Sequence, residues 1–512
     1  MMRIIDRFLN RFTMYRLTLY YLIALLGLGL VLSFLGTVPG GPLAMVSSTA
    51  ILIVVCHFAN LGLARIWRVR SNPESSLITA LILALISNPV SPFSDMRHAA
   101  ILALAALVAI ASKYVLALRR QHVFNPAALG ALFSGLIFGS FASWWVGNLA
   151  LLPLAALGGL LLARKISRLR FIAVFFVAFI FFMVGLALAQ GLSMDMALQS
   201  LIFVFGQTSL LFFAFIMLTE PMTSPKRFPL QAIDAVIVAL LYQPQLTLRG
   251  QNFTPEEALL IGNLFSFLVS PSFKVKLALK ERRLIGPGTM SFTFPRPTGF
   301  THRLGQYMEW TLPMGKSGSG GNRRHFSIAS SPTEPDLLIA ARIPEDASRF
   351  KQALAGMSPG DLILAGELGG DFVLPREPRL PLAFIAGGIG ITPFRSMIKY
   401  LVDTGDRRDI VLLYANRLEG EIVFRDVFTD AERSIGLKTV YTLTDLKNAR
   451  PEWCGHRGPI DRSMIGEKVP AWKDRLFFVS GPPGMVGAVK AALRSLGVPR
   501  RRVRTDAFTG YF

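Results

Sequence analysis

Leu382-Ala383-Phe384-Ile385-Ala386-Gly387-Gly388-Ile389-Gly390-Ile391-Thr392-Pro393 decides how the second half of the chain is read. Its first five residues form an apolar run of strand length, as expected of a strand covered on both faces. Three glycines and a proline follow, and the proline can open a helix. Strand, glycine loop and helix in that order predict a parallel α/β sheet with a ligand-facing loop at the carboxyl end of the strand. Downstream, Ile410-Val411-Leu412-Leu413-Tyr414 and Leu476-Phe477-Phe478-Val479 read as two further buried strands. The second runs into Ser480-Gly481-Pro482-Pro483-Gly484-Met485, a second rigid loop at the same sheet edge.

Upstream, the pattern changes to barrel strands. Phe292-Thr293-Phe294 and Tyr307-Met308-Glu309-Trp310-Thr311-Leu312 are two of them, and residues around Pro375–Arg379 form the hinge to the sheet. Arg324-His325-Phe326-Ser327 follows a Gly/Ser/Lys loop. An arginine here can pair bidentately with a flavin pyrophosphate. Phe326 can pack on an isoalloxazine, and Ser327 can hydrogen-bond its reactive N5 edge. Asp346-Ala347-Ser348 precedes the helically spaced Phe350 and Leu354, so a helix N-terminus here either offers free N–H groups to the same pyrophosphate, is simply N-capped, or does both. Gly387, Gly388 and Gly390 let the backbone approach a pyrophosphate or nicotinamide closely, beside Thr392 and Pro393.

In order and context these elements closely resemble the ferredoxin–NADP reductase superfamily. Arg324, Phe326 and Ser327 match its RxYS element, with Phe in place of Tyr. Gly305-Gln306-Tyr307 matches the strand element before it. Gly387 to Pro393 matches GGxGxTP, and Ser480 to Met485 matches CGPPGM with Ser in place of Cys. The resemblance implies FAD as cofactor and NADH or NADPH as hydride donor. It places Ser327, Ser480 and Phe508 at the reacting atoms, Phe508 as the aromatic cover of the flavin. Arg324, Phe326, Ser327 and Ser348 then face FAD. Gly387, Gly388, Gly390, Thr392, Pro393, Gly481, Pro482 and Met485 serve the nucleotide. Serine for cysteine at 480 suggests slower or differently tuned hydride transfer. Arg417, after Tyr414-Ala415-Asn416, could hold a 2′-phosphate, and the choice between NADH and NADPH stays open.

The composition shifts near Lys274. The whole chain of 512 residues is 52% apolar and only 17% charged, and the first half carries the long apolar runs. A membrane-crossing helix takes about 20 such residues. Ten candidates fall at 17–36, 44–63, 76–93, 99–117, 126–143, 148–163, 171–190, 198–218, 229–248 and 257–273. With the N-terminus in the cytosol, the cytosolic loops hold Arg65, Arg68, Arg70, Lys113, Arg119, Arg120, Arg164, Lys165, Arg168, Arg170, Lys226 and Arg227. The opposite loops hold only Arg97 and Arg249. This asymmetry obeys the positive-inside rule and puts the second half in the cytosol. The basic tail before the first run reads as a retained signal anchor.

The net charge of +22 thus belongs to topology and anionic lipid, not to nucleic acid. Two cysteines, Cys56 and Cys454, cannot ligate an iron–sulfur cluster, and of His57, His98 and His122 only His57 lies in a span, so no bis-histidine haem is expected. No metal site is predicted. Asp234 lies in an apolar stretch about a turn from the cytosolic surface and either reaches water, the reading slightly preferred, or forms an ion or proton site. Trp144 and Trp145 read as an interfacial aromatic belt.

Three segments are richer than span filler: Glu74–Leu81, Val123-Phe124-Asn125-Pro126-Ala127-Ala128-Leu129-Gly130 and Leu218-Thr219-Glu220-Pro221-Met222-Thr223-Ser224-Pro225. Together they resemble the flavin-carrying membrane subunits of the Rnf electron-transport complex (its D subunit) and of sodium-translocating NADH:quinone reductase (its B subunit), which carry FNPA and TDPVT elements in this order. The resemblance implies flavin among the helices and membrane-linked electron transfer. The family's flavinylated threonine has no counterpart in the loop Trp144–Asn148, so the implied second cofactor is a non-covalent FMN or riboflavin.

The expected architecture is a polytopic helical membrane domain of about ten spans (1–273), a β-barrel FAD-binding domain (274–378) and an α/β NAD(P)-binding domain (379–512). The expected protein is a multi-pass inner (plasma) membrane oxidoreductase with both termini cytoplasmic, passing electrons to a quinone or a partner. The alternative is a membrane-anchored reductase, or a redox-sensing transporter, whose helices carry no redox cofactor.

Overall fold

The computed structural model describes residues 9, 12–69, 73–91, 93–118, 121–248, 251–270, 274–313, 321–445, 447 and 451–507. The chain divides into two compact units, Met1–Ser272 and Phe273–Phe512.

The first unit is helical. Its helices are α1 (Met14–Phe34), α2 (Gly41–Ile66), α3 (Pro73–Ile86), α4 (Met96–Val115), α5 (Pro126–Phe138), α6 (Leu152–Lys165), α7 (Leu169–Ala189), α8 (Met194–Gln207), α9 (Phe228–Leu241) and α10 (Pro255–Val269). Beyond α8 the chain bends by 69° into Leu210–Met217, whose last five residues form a π-helical turn. Each of the ten predicted segments overlaps one of these helices.

The lengths differ from the expectation. Among the described residues, four helices, α1, α2, α4 and α7, are long and apolar enough to cross a membrane, or five if the bent pair is one span. The apolar helices α3, α5 and α9 have only 13 or 14 residues. At 1.5 Å per residue they reach about 20 Å, against a hydrocarbon core of about 30 Å. The cause is punctuation that a hydropathy window does not register. Gly139 ends α5 in a left-handed conformation (φ 69°), and Ser87-Asn88-Pro89 ends α3.

The order of elements repeats, which the sequence does not announce. α1–α5 and α6–α10 each end in a helix, a two-residue-strand hairpin and a helix begun by proline. The hairpins are Ala117–Leu118 with Gln121–His122 and Thr247–Leu248 with Gln251–Asn252. Asn125 caps α5 and Thr254 caps α10, the latter through a capping box with Glu257. Large apolar side chains stand exposed on the long helices, among them Val54, Phe58, Val177 and Phe181.

Two expectations fail here. Trp144 and Trp145 are buried, not interfacial, because each indole N–H has an internal acceptor: Glu256 Oε1 at 2.9 Å and the Ala84 carbonyl at 2.8 Å. Asp234 does not reach water; it is 2% exposed, and α10 packs on it at Gly262.

The second unit starts with two antiparallel sheets around one core. They are built from β1 (Lys274–Ala278), β2 (Glu281–Gly286), β3 (Thr289–Pro295), β4 (Tyr307–Thr311), β5 (Arg323–Ser327), β6 (Asp336–Arg342) and β7 (Leu362–Gly369), with helix α11 (Arg349–Ala355) between β6 and β7. The sheet orders are β6-β3-β2 and β1-β7-β4-β5. Phe292, Phe294, Trp310, Ile339 and Phe350 fill the space between them. Inward residues alternate along β3 and β4, the pattern that made these strands legible.

A six-stranded, wholly parallel sheet follows: β8 (Leu382–Gly387), β9 (Ile410–Asn416), β10 (Lys438–Leu443), β11 (His456–Arg457), β12 (Leu476–Gly481) and β13 (Val503–Ala507), in the order β11-β10-β9-β8-β12-β13. Helices α12 (Thr392–Thr404), α13 (Arg425–Ile435), α14 (Arg462–Lys468) and α15 (Pro483–Ser495) cover it. β8, β9 and β12 are buried at every position, and two apolar clusters occupy the two faces. The strand order reverses at β8, between β9 and β12. A topological switch point lies there, and ligands of such sheets bind at its carboxyl end.

Candidate active site

The barrel contributes one group of residues. Along β5, Arg324 and Phe326 share a face by strand alternation. Both meet Phe350 of α11: the Arg324 guanidinium lies 5.2 Å from its ring centre, and the Phe326 ring lies 6.1 Å from it. Ser348, the N-cap of α11, is thereby brought to the same side of the barrel. Its hydroxyl does not cap its own helix. Ser327 closes β5, pairs in register with Tyr307 and is buried.

The sheet contributes the second group. Gly387 ends β8, Gly388 (φ 52°) and Gly390 lie in a single 3₁₀ turn, and Thr392 and Pro393 begin α12. Thr392 turns its hydroxyl back to the Ile389 carbonyl at 3.2 Å. On the neighbouring strand, Ser480 and Gly481 end β12, and Pro482 caps α15. The two loops touch. A Cβ built on Gly390 would lie 2.5 Å from the Ser480 carbonyl oxygen, and one on Gly387 would lie 2.1 Å from Met485 Sδ. A narrow cleft lined by Thr289, Arg342, Gly388, Ile389, Asn416, Glu421 and Val423 runs from the barrel to the sheet edge. A hollow of about 950 Å³ beside Tyr441 and Trp453 contains none of the predicted site residues.

The residues fit a flavin dinucleotide and a nicotinamide nucleotide. Buried polar atoms are normally hydrogen-bonded. Among the described residues, the hydroxyls of Ser327, Ser348 and Ser480 are buried with no hydrogen-bond partner. All three stand where the sequence expects ligand contacts. Phe508 lies outside the described residues. Arg417 is engaged by Asp445, 3.5 Å away, at the ends of β9 and β10.

One residue escaped the sequence reading. Asp506 pairs in register with Ser480 on β13. Burial, and then the nearby Asp371 carboxylate, push its carboxyl up to about 6. An acid raised in the folded state contributes stability that is present below its unfolded value near 4 and is lost as pH rises through 6. Asp506→Asn is therefore expected to be more stable than the parent at pH 8, by about 1–3 kcal/mol. The gap should close between pH 6 and 4. Thermal unfolding followed by flavin release measures it, and a gap that is independent of pH would contradict the assignment.

In the helical unit the segments at 123–130 and 218–225 come together. Glu220 accepts from Asn125 Nδ2 (2.8 Å) and Thr223 Oγ1 (3.2 Å) and lies 3.3 Å from His122 Nε2. Asn263 of α10 accepts from the Asn125 backbone N–H at 2.7 Å. The third segment is joined to α4: Lys113 Nζ donates to Ser75 Oγ (3.0 Å) and Thr79 Oγ1 (2.7 Å).

Residues 384–491 match the family model described as the oxidoreductase NAD-binding domain. The chain is 30% identical over 227 residues to the stachydrine N-demethylase reductase subunit Stc4 of Rhizobium meliloti (strain 1021), covering 44% of this chain and 63% of that protein, so it spans under two thirds of that relative's length. It is 31% identical over 252 residues to NADH-cytochrome b5 reductase 1 of Aspergillus terreus, covering 46% of this chain and 82% of that protein. A ferredoxin NADP⁺ reductase from Neisseria gonorrhoeae, solved with FAD and NADP, aligns with a TM-score of 0.40 and 20% identity over 46% of this chain and 98% of its own. By the match of residues 384–491 and the identity to NADH-cytochrome b5 reductase 1, the C-terminal half belongs to the ferredoxin–NADP reductase family of NAD(P)H-dependent, FAD-binding oxidoreductases.

Proposed function

We propose that this chain takes hydride from NADH or NADPH onto FAD in its C-terminal half and passes the electrons to its helical half, which hands them to a quinone or to an acceptor across the membrane. FAD, when bound, takes up two electrons as hydride and returns them one at a time. The observation that carries the first step is the trio of buried, unpartnered hydroxyls at Ser327, Ser348 and Ser480. In this reading Arg324 and Ser348 hold the flavin pyrophosphate, Phe326 packs on the ring, and Ser327 hydrogen-bonds its N5 edge. Gly387, Gly388, Gly390, Thr392, Pro393, Gly481, Pro482 and Met485 shape the nucleotide loops. Ser480 orients the nicotinamide, and Phe508 covers the flavin.

The membrane step rests on the fusion itself. Four long apolar helices with exposed large apolar side chains, and basic residues concentrated in alternate loops, support a multi-pass inner (plasma) membrane protein with cytoplasmic termini. The two five-helix repeats support ten crossings, the short helices included. The boundaries proposed are 1–273, 274–378 and 379–512. A non-covalent FMN or riboflavin near Glu220 and Asn125 would be the second carrier. A second reading, a reductase serving a separate oxygenase, is favoured by relatives that are themselves reductase subunits of a demethylase and of a monooxygenase.

Counting acid-released flavins per chain in detergent tests both. FAD plus a second flavin retained by the helical half is the expected result. A single FAD, lost on removal of residues 274–512, would eliminate the second carrier and favour the anchored reductase.

A further inference from the structure

The flavin side and the nicotinamide side of the second unit are joined by a clasp, buried at Arg395 and Ser396 and half-buried at Glu334. Two residues after Ser327, the Ala329 carbonyl accepts from Arg395 Nη1 at 2.9 Å, and the Ser330 carbonyl accepts from Ser396 Oγ at 2.7 Å. Arg395 then forks onto Glu334, Nη1 to Oε2 at 2.6 Å and Nη2 to Oε1 at 2.8 Å. Glu334 Oε2 also accepts from the Ser331 N–H at 2.6 Å, and Thr333 Oγ1 donates to Asp403 of the same helix, α12. Arg395 is 8% exposed and Ser396 is fully buried. Arg395 stands two residues after Pro393, so the clasp grips α12 just behind the glycine loop and the barrel just behind β5.

An ion pair drawn largely out of water costs desolvation that an apolar contact would not, and is a poor device for stability alone. What it supplies is geometry: a planar guanidinium on a carboxylate fixes distance and orientation together. We infer that Arg395 and Glu334 are positioning residues for hydride transfer, holding the nucleotide loop at one distance from the flavin strand. The inference rests on the proposed reduction of FAD by NAD(P)H at this site. In that step the nicotinamide C–H bond breaks, an N–H bond forms on the flavin, and the electron pair moves with the hydride. A misplacement of about 1 Å at such a centre costs on the order of a hundredfold in rate.

The test uses the full chain in detergent, with FAD content measured, and anaerobic stopped-flow reduction by whichever nicotinamide nucleotide reduces the parent. Arg395→Lys and Glu334→Gln should each lower the limiting rate of flavin reduction about 10- to 100-fold, with the apparent Kd for the nucleotide changed less than about threefold. Reoxidation of the dithionite-reduced variants by ferricyanide should keep the parental rate, and the double variant should be no slower than the slower single. Should either variant fail to fold, Ser396→Ala removes one bond of the clasp and should show a smaller loss, about two- to fivefold, with the same split. A parental limiting rate in FAD-replete variants, a loss confined to Kd, or equal slowing of both half-reactions overturns the inference. A parent whose flavin is reduced by neither nucleotide would defeat the reading of the site instead.

Discussion

Arg324→Ala should purify without FAD. Arg324 is the second residue of β5, 8% exposed, with its guanidinium against Phe350. It stands beside the N-terminus of α11, where Ser348 keeps a hydroxyl that caps nothing. A diphosphate bridging these two points would take charge-assisted bonds from the guanidinium. Each such bond is worth about 1.5–3 kcal/mol. Losing two of them lowers affinity by about 10²-fold or more. Truncation also removes a packed stem from between β5 and Phe350, so no water-filled substitute restores the contact. Arg324→Lys keeps the charge but not the fork and should retain FAD only partly. Flavin fluorescence titration of the apo chain, with acid-released FAD per chain, reads the effect. An alanine variant that holds one FAD per chain with Kd within about threefold of the parent would remove Arg324 from the site.

What the sequence made legible follows from range. β8, β9 and β12 could be read because strands covered on both faces are largely apolar along their length, and the glycine loops after β8 and β12 have few other uses. The same locality explains Ser348, which precedes its helix directly. The failures involve partners far away in the chain. Trp144 looked interfacial until Glu256, 112 residues on, took its N–H. Arg395 and Glu334 are 61 residues apart, and Asp506 meets Ser480 only through strand pairing that no periodicity encodes. The internal repeat was invisible for another reason. It lives in the order of elements, with Asn125-Pro126 answered by Thr254-Pro255, and not in shared residues. Helix lengths were misjudged because hydropathy continues past Gly139 while the hydrogen-bond ladder does not.

Gly390→Ala should separate the two nucleotide loops and abolish reduction by NAD(P)H. The added methyl would meet the Ser480 carbonyl oxygen at 2.5 Å and Gly481 Cα at 2.7 Å. Both are main chain at the end of β12, so neither can swing aside as a side chain would. Gly387 offers the contrast, since its nearest neighbour is the flexible end of Met485. Relief at Gly390 requires the 3₁₀ turn or the Ser480–Gly481 backbone to shift, and overpacking of this kind costs about 1–3 kcal/mol. The shift also moves Ser480 and the start of α12 from the positions proposed to receive the nicotinamide. The limiting rate of flavin reduction should fall at least about 100-fold. FAD content should hold, because β5 and α11 belong to the barrel. Gly484→Ala is the control four residues past Ser480: nothing lies within 4 Å of its added methyl, it is helical, and alanine there should be neutral or stabilising by up to about 1 kcal/mol. If Gly390→Ala matched that control in melting temperature and reduction rate, the contact of the two loops would carry no function, and the nucleotide would have to be placed elsewhere on the sheet edge.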